Sequence, residues 1–280
     1  MRARKIAFWM GPAALLAAGL VPPAQAERVV IQPGADLQAA LERSVEGDVL
    51  SLAPGIYRGN LRISRQVTLE GTEGAVIEGD GQGNAITVTA AGAVVRGLSV
   101  RGSGMDLDAM HAGIFLEKTA TGAVVENNRL EGNLYGVYVH GAEKALVRGN
   151  VIRGITQGRI NEAGNGVSLW NAPGAKVVDN DISFGRDGIY TISSRNNLFS
   201  GNRFSDLRFA VHYMYTNDSE ISGNVSTGNS VGFAIMYSNR LVVKDNVSDG
   251  DRDHGFLFNY ANGSRITGNA VYGKPQPAER

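Results

Sequence analysis

The sequence predicts an all-β protein, a right-handed parallel β-helix of about nine coils with a short N-terminal capping helix. Three observations predict it. First, a small residue opening a short alternating strand recurs as AGIFL (112–116), GVYVH (136–140), GVSLW (166–170), GIYTI (188–192), AVHYM (210–214), GFAIM (232–236) and GFLFN (255–259). The markers Gly113, Gly136, Gly166, Gly188, Ala210, Gly232 and Gly255 are spaced 23, 30, 22, 22, 22 and 23 apart. Second, Asn128, Asn150, Asn180, Asn202, Asn224, Asn246 and Asn269 keep the same step. Third, no segment of comparable length carries a helical apolar period. Helical repeats need 30 or more residues, and the Leu-x-x-Leu-x-Leu pattern of leucine-rich repeats is missing.

The elements follow in order. Arg2, Arg4 and Lys5 precede an apolar run from Ile6 to about Val21, and Ala24-Gln25-Ala26 is a small-x-small cleavage site. Residues 1–26 are therefore expected to be a secretory signal, with maturation before Glu27. An uncleaved anchor is the alternative, but the run is short for a membrane span. The β-helix is expected over 27–273. Asp36 can N-cap a short helix within 36–43, whose Leu37, Ala40 and Leu41 share one face and would cover the open first coil. Two weaker coils are expected around 67–79 and 85–100. The 30-residue interval places an eight-residue insertion near 157–164. Residues 274–280 read as a polar tail, or as the cut end of a longer domain.

Strand alternation assigns the columns. Ile114, Val137, Val167, Ile189, Val211, Phe233 and Phe256 point inward, as do Leu116, Val139, Leu169, Thr191, Tyr213, Ile235 and Phe258. The Asn column is a turn position, where each amide bonds its neighbours above and below. Two of the four Asn-x-Ser sequons, at Asn224 and Asn246, fall in that column, where a glycan does not fit. All four, with Asn217 and Asn262, read as by-products of the repeat.

Composition excludes several functions. The chain has 27 basic and 27 acidic residues, so it lacks the basic excess of a nucleic-acid binder. Loss of the signal segment would leave 24 basic against 27 acidic, a net charge of −3. There is no cysteine, hence no disulfide, thiolate metal site or Cys nucleophile. No Ser-His-Asp order, phosphate-binding Gly loop or HExxH is present.

Two outward columns carry chemistry. One reads Phe115, Tyr138, Ser168, Tyr190, His212, Ala234, Leu257; the other reads His140, Trp170, Ile192, Met214, Met236, Asn259. Met214 and Met236 should stack one coil apart, with His212 on the same face. Two thioethers and an imidazole form a soft donor set suited to Cu(I). The same stripe also reads as a docking surface built on Trp170, Tyr190 and Ile192, the commoner use of exposed Met and aromatic side chains. The two uses are compatible if metal is exchanged across the interface. Met105, Met110 and His111 form a second soft group, in a segment where loop packing is the simpler explanation. Asp251, Asp253 and His254, with Asp187 in the equivalent turn three coils earlier, are the acidic alternative for a polysaccharide lyase or epimerase.

The segments RFAVHYMYTNDSEISGN, NSVGFAIMYSNRLVVKDN and DGDRDHGFLFNYANGSRITGN resemble the NosD family, within the carbohydrate-binding and sugar-hydrolase β-helix class. HYMYTND and DGDRDHG are the specific parts, and the resemblance extends over about 27–273. It implies a periplasmic, non-enzymatic role in assembling the copper centres of nitrous-oxide reductase. The partners it implies are an ABC transporter ATPase and permease, a copper-chaperone lipoprotein and the reductase. His212, Met214 and Met236 would then receive Cu(I) in passing. The resemblance also implies a chain running beyond Arg280.

Overall fold

A computed structural model describes residues 26–273. The expected signal segment, apart from Ala26, and the tail 274–280 lie outside the described residues. The chain winds through three parallel sheets of eleven, ten and nine strands. The first sheet runs from Arg28–Ile31 to Arg265–Thr267, the second from Gly55–Arg58 to Ala270–Tyr272, and the third from Leu61–Ile63 to His254–Asn259. Within each sheet every strand pairs with its counterpart one coil away, which makes this a parallel β-helix. Eleven stacked strands span roughly 48 Å at ~4.8 Å per coil. No helix among the described residues is long and apolar enough to cross a membrane.

The coil count exceeds the expected nine because the solenoid starts earlier than the repeat is legible. Strands Arg28–Ile31, Val49–Leu52, Gly55–Arg58 and Leu61–Ile63 belong to the same three sheets. They lack the Gly and Asn markers, so their apolar residues alone carry the pattern. The capping helix is Leu37–Arg43. Asp36 accepts a hydrogen bond from the Ala39 N–H, and Leu37 and Leu41 are buried toward the first coils. The insertion lies between strands Val151–Arg153 and Val167–Trp170 and contains a 3₁₀ turn, Ile160–Glu162.

The core is a single apolar column system. Ile114, Val137, Val167, Ile189, Val211 and Phe233 lie in register and are buried, as are Leu116, Val139, Leu169, Thr191, Tyr213 and Ile235. Phe256 and Phe258 occupy the inward positions of the last described strand of the third sheet. With one side unstacked, Phe258 remains exposed.

Seven asparagines form a continuous ladder between the first and second sheets. The Asn180 N–H and Nδ2 both donate to Asn202 Oδ1, at 3.0 and 2.9 Å, and Asn202 repeats this toward Asn224. Each Nδ2 also donates to a backbone carbonyl, Val177 O in the case of Asn202 at 2.8 Å. The bent backbone is thereby satisfied in a site closed to water.

Candidate functional site

The third sheet carries the outward stripe. Register places His140, Trp170, Ile192, Met214 and Met236 in adjacent strands, one directly above the next. The second outward column aligns Tyr190, His212 and Ala234 in the same way. His212 and Met214 share a strand and a face, about 6.6 Å apart along the chain, and Met236 follows Met214 at the ~4.8 Å coil spacing.

The stripe changes character along its length. At its start Phe115 stacks on Tyr138 with ring centroids 5.4 Å apart, beside Tyr135, Met110 and Ile155. Burial pushes the Tyr138 hydroxyl up to about 12. His140 then stacks on Trp170 at 4.6 Å, and Trp170 remains 41% exposed. Met214 and Met236 are half-buried at the far end. Next to them Tyr215, Tyr237 and Tyr260 form an exposed stack with centroids 5.3 and 5.2 Å apart. All three tyrosines adopt positive φ, 45°, 49° and 53°, which is uncommon for a bulky residue. This tyrosine ladder went unread in the sequence, although Tyr at one fixed offset in three successive coils was the available signal.

His212 sits in a polar cluster that spans two coils. Asp187, wholly buried, opens the strand Asp187–Ile192. Arg208 grips it from the next coil, Nε to Oδ1 at 2.8 Å and Nη2 to Oδ2 at 2.6 Å. His212 Nδ1 lies 3.1 Å from Asp187 Oδ2. The imidazole packs against Tyr190 on one side, with centroids 5.0 Å apart, and edge-on to Phe209 on another. Arg208 itself lies over the Phe209 ring at 4.5 Å. Arg208 was not singled out in the sequence. Its contact joins positions in different columns, so the period alone does not reveal it.

Burial by itself would raise the Asp187 carboxyl. Hydrogen bonds from His212 and Arg208, together with the Arg208 charge, outweigh it and hold the group below the usual carboxylate range. A carboxyl depressed on folding contributes stability above its unfolded value, about 4, and that contribution is lost as the pH falls through the folded value. Asp187→Asn is therefore expected to start less stable but to lose stability less steeply with acid below pH ~4. Acid titrations of the two proteins followed by circular dichroism check this. Parallel pH dependences would refute it.

The acidic alternative does not assemble into one site. Asp187, Phe209, Val231 and His254 occupy one register position in successive coils, so Asp187 and His254 are three coils apart. Asp251 serves a second ladder: Oδ1 accepts the Asn229 N–H at 2.8 Å and Oδ2 accepts the Ser248 hydroxyl at 2.6 Å. Asp253 and His254 are exposed. A surface cleft of about 530 Å³ lies at the turns beyond the stripe, lined by Glu143, Arg195, Tyr215, Asp218 and Arg240, and none of the four acidic candidates lines it. The Met105, Met110 and His111 segment is used in packing. Met110 joins the Leu134 and Tyr135 cluster, Met105 is exposed, and His111 Nδ1 accepts the Asp106 N–H at 3.4 Å. Among the described residues no group of three or more His, Asp or Glu side chains is placed to hold a metal ion. The thioether and imidazole face remains as the candidate metal centre.

Fold and face together define a parallel β-solenoid with an aromatic and thioether stripe along one sheet and its carboxylates dispersed. Comparison with known proteins places it in a family. Residues 154–276 match the family described as "Periplasmic copper-binding protein (NosD)". The chain is 38% identical over 220 residues to the "Probable ABC transporter binding protein NosD" of Stutzerimonas stutzeri, covering 79% of this chain and 50% of that protein. It is 38% identical over 223 residues to the protein of the same name from Pseudomonas aeruginosa, covering 80% and 52%. The chain belongs to the NosD family. It spans about half the length of the curated relatives it matches.

Solved structures share the fold alone. The alginate lyase from Paenibacillus sp. str. FPU-7 superposes with a TM-score of 0.69 at 16% identity, over 88% of this chain and 98% of that one. The family 28 exopolygalacturonase of Yersinia enterocolitica superposes at 0.61 with 10% identity, over 90% and 79%.

Proposed function

We propose that this chain is a periplasmic, non-enzymatic accessory protein for assembling the copper centres of nitrous-oxide reductase. In this reading it works beside an ABC transporter ATPase and permease, and a copper-chaperone lipoprotein hands it Cu(I) as cargo. The observation that carries the reading is the register of Met214 on Met236 with His212 on the same face. Two thioethers and a neutral imidazole prefer Cu(I) over harder ions, and no thiolate competes in a chain without cysteine. Flexible side chains of this length bridge the strand and coil spacings, and three neutral donors hold the ion loosely enough to pass it on. The exposed Trp170, with Ile192 and Tyr190 beside it, extends the same face as the docking surface for the donor protein. The names of the family and of the curated relatives, one copper-binding and the other transporter-binding, support the same reading. The rival reading, a polysaccharide lyase or epimerase, draws on the fold shared with the lyases and hydrolases, but fold does not fix function. The separation of Asp187 from Asp251, Asp253 and His254 weighs against it.

The test is an anaerobic Cu(I) titration of the soluble protein against a chromophoric chelator, beside the Met214→Leu and Met236→Leu double variant. Leucine preserves volume and removes only the sulfur donors, so folding should change by less than about 1.5 kcal/mol. Wild type is expected to retain about one copper and the double variant to lose it. Equal retention by both proteins would overturn the site. Turnover of uronate polymers by the purified chain would reinstate the enzyme.

A further inference from the structure

Asp187 is a buried carboxylate that belongs neither to the asparagine ladders nor to the apolar core. All of its side-chain hydrogen bonds go to the neighbouring coil, to Arg208 and His212. The guanidinium of Arg208 can only donate, so both Asp187 oxygens act as acceptors. His212 Nδ1, 3.1 Å from Oδ2, must then carry the proton. Were Nδ1 unprotonated, two lone pairs would face each other at that distance in a buried site. The longer Arg208 contact, Nη2 to Nδ1 at 3.5 Å, would not compensate.

We infer that Asp187 is a positioning residue: it accepts the His212 Nδ1–H, fixes the imidazole tautomer and ring, and leaves Nε2 as the lone-pair donor on the sheet face that also carries Met214 and Met236. The inference rests on the copper-transfer reading for its consequence, but not for its geometry. Arg208 holds the carboxylate in place through two bonds, and Tyr190 and Phe209 restrict the ring. A carboxylate on the far nitrogen of a ligating imidazole is the arrangement that orients the ring and raises its basicity. Loss of such a partner typically weakens metal binding about 10–100-fold. Arg186 Nε also lies 3.8 Å from Asp187 Oδ2, so two guanidiniums flank the one carboxylate.

The experiment has two arms. In the first, wild-type protein with ¹⁵N-labelled histidine is examined by NMR without metal, at a pH where imidazole is neutral. The chain has four histidines, and the His212 signals are assigned by their loss in His212→Gln. A single Nδ1–H form is expected at His212; an Nε2–H form, or a free mixture of the two, would overturn the inference. This arm needs no variant of Asp187 to fold. In the second arm Cu(I) affinity is compared for wild type, Asp187→Asn and Arg208→Lys. Asp187→Asn is expected to mix the tautomers and weaken retention about 10-fold or more, while Arg208→Lys, which keeps the charge, stays closer to wild type. Unchanged affinity and tautomer in Asp187→Asn would overturn the positioning role. If wild type itself retains no copper, the transfer-site reading fails, and the tautomer measurement alone decides the role of Asp187.

Discussion

Replacing Asn202 by alanine is expected to destabilise the solenoid by about 2–5 kcal/mol, a large effect for one side chain. The substitution removes the acceptor of the Asn180 N–H and the donor to Val177 O, both in a region closed to solvent. Each buried group left without a partner costs about 1–3 kcal/mol, whereas the bond itself contributes only about 1. A water admitted to the vacated space would set the lower end of the range. Asn202→Asp is a sharper probe. It keeps the acceptor toward Asn180 but turns a lone pair on Val177 O and Asn224 Oδ1, where the amide had donated. It is expected to be at least as damaging as alanine. Urea unfolding combined with amide hydrogen exchange is the suitable measurement, since stacked coils open in neighbouring groups. A loss below about 0.5 kcal/mol would show that the ladder is dispensable.

Gly188→Val is expected to disrupt the third sheet outright, at a cost above about 3 kcal/mol. A Cβ built on Gly188 would lie 2.4 Å from Phe204 Cδ1 and 2.5 Å from the Ala210 carbonyl oxygen. The Ala210 oxygen belongs to the next coil and cannot retreat without moving the stack. The constraint is therefore steric and not conformational. Gly223 supplies the contrast: a Cβ there would meet nothing within 4 Å, but its φ is +62°. Gly223→Ala should cost only about 1–2 kcal/mol, the penalty for holding an L-residue in the left-handed region. Equal destabilisation by Gly188→Ala and Gly223→Ala in thermal melts would refute the distinction. Ala210 occupies the same column as Gly188, so the coil-to-coil approach tightens locally and not uniformly along the marker column.

Much of this was legible in the primary structure. The markers from Gly113 to Gly255 gave the period, and alternation from them assigned the two inward columns of the third sheet up to Ile235 and the stacking of Met214 on Met236. A period is a strong signal because each coil repeats one covalent solution to one packing problem. The earliest coils were read short because Val49–Leu52 and Leu61–Ile63 use the same inward alternation without the glycine and asparagine marks. The acidic grouping around DGDRDHG is divided in the structure for a related reason. Proximity in sequence made Asp251 and Asp253 look like one cluster, while the turn sends Asp251 into a ladder and leaves Asp253 in solvent.

The sequence by itself determined the solenoid, its register and the columns, because the chain's period and the two-residue alternation of a strand are one-dimensional facts. Only the tertiary structure decided what surrounds His212. Asp187 lies 25 residues from it and Arg208 only four, yet the two meet on the imidazole from different columns and different coils. Such contacts depend on how side chains lean across the sheet and where the covering turns exclude water. Neither is written in the spacing of residues along the chain.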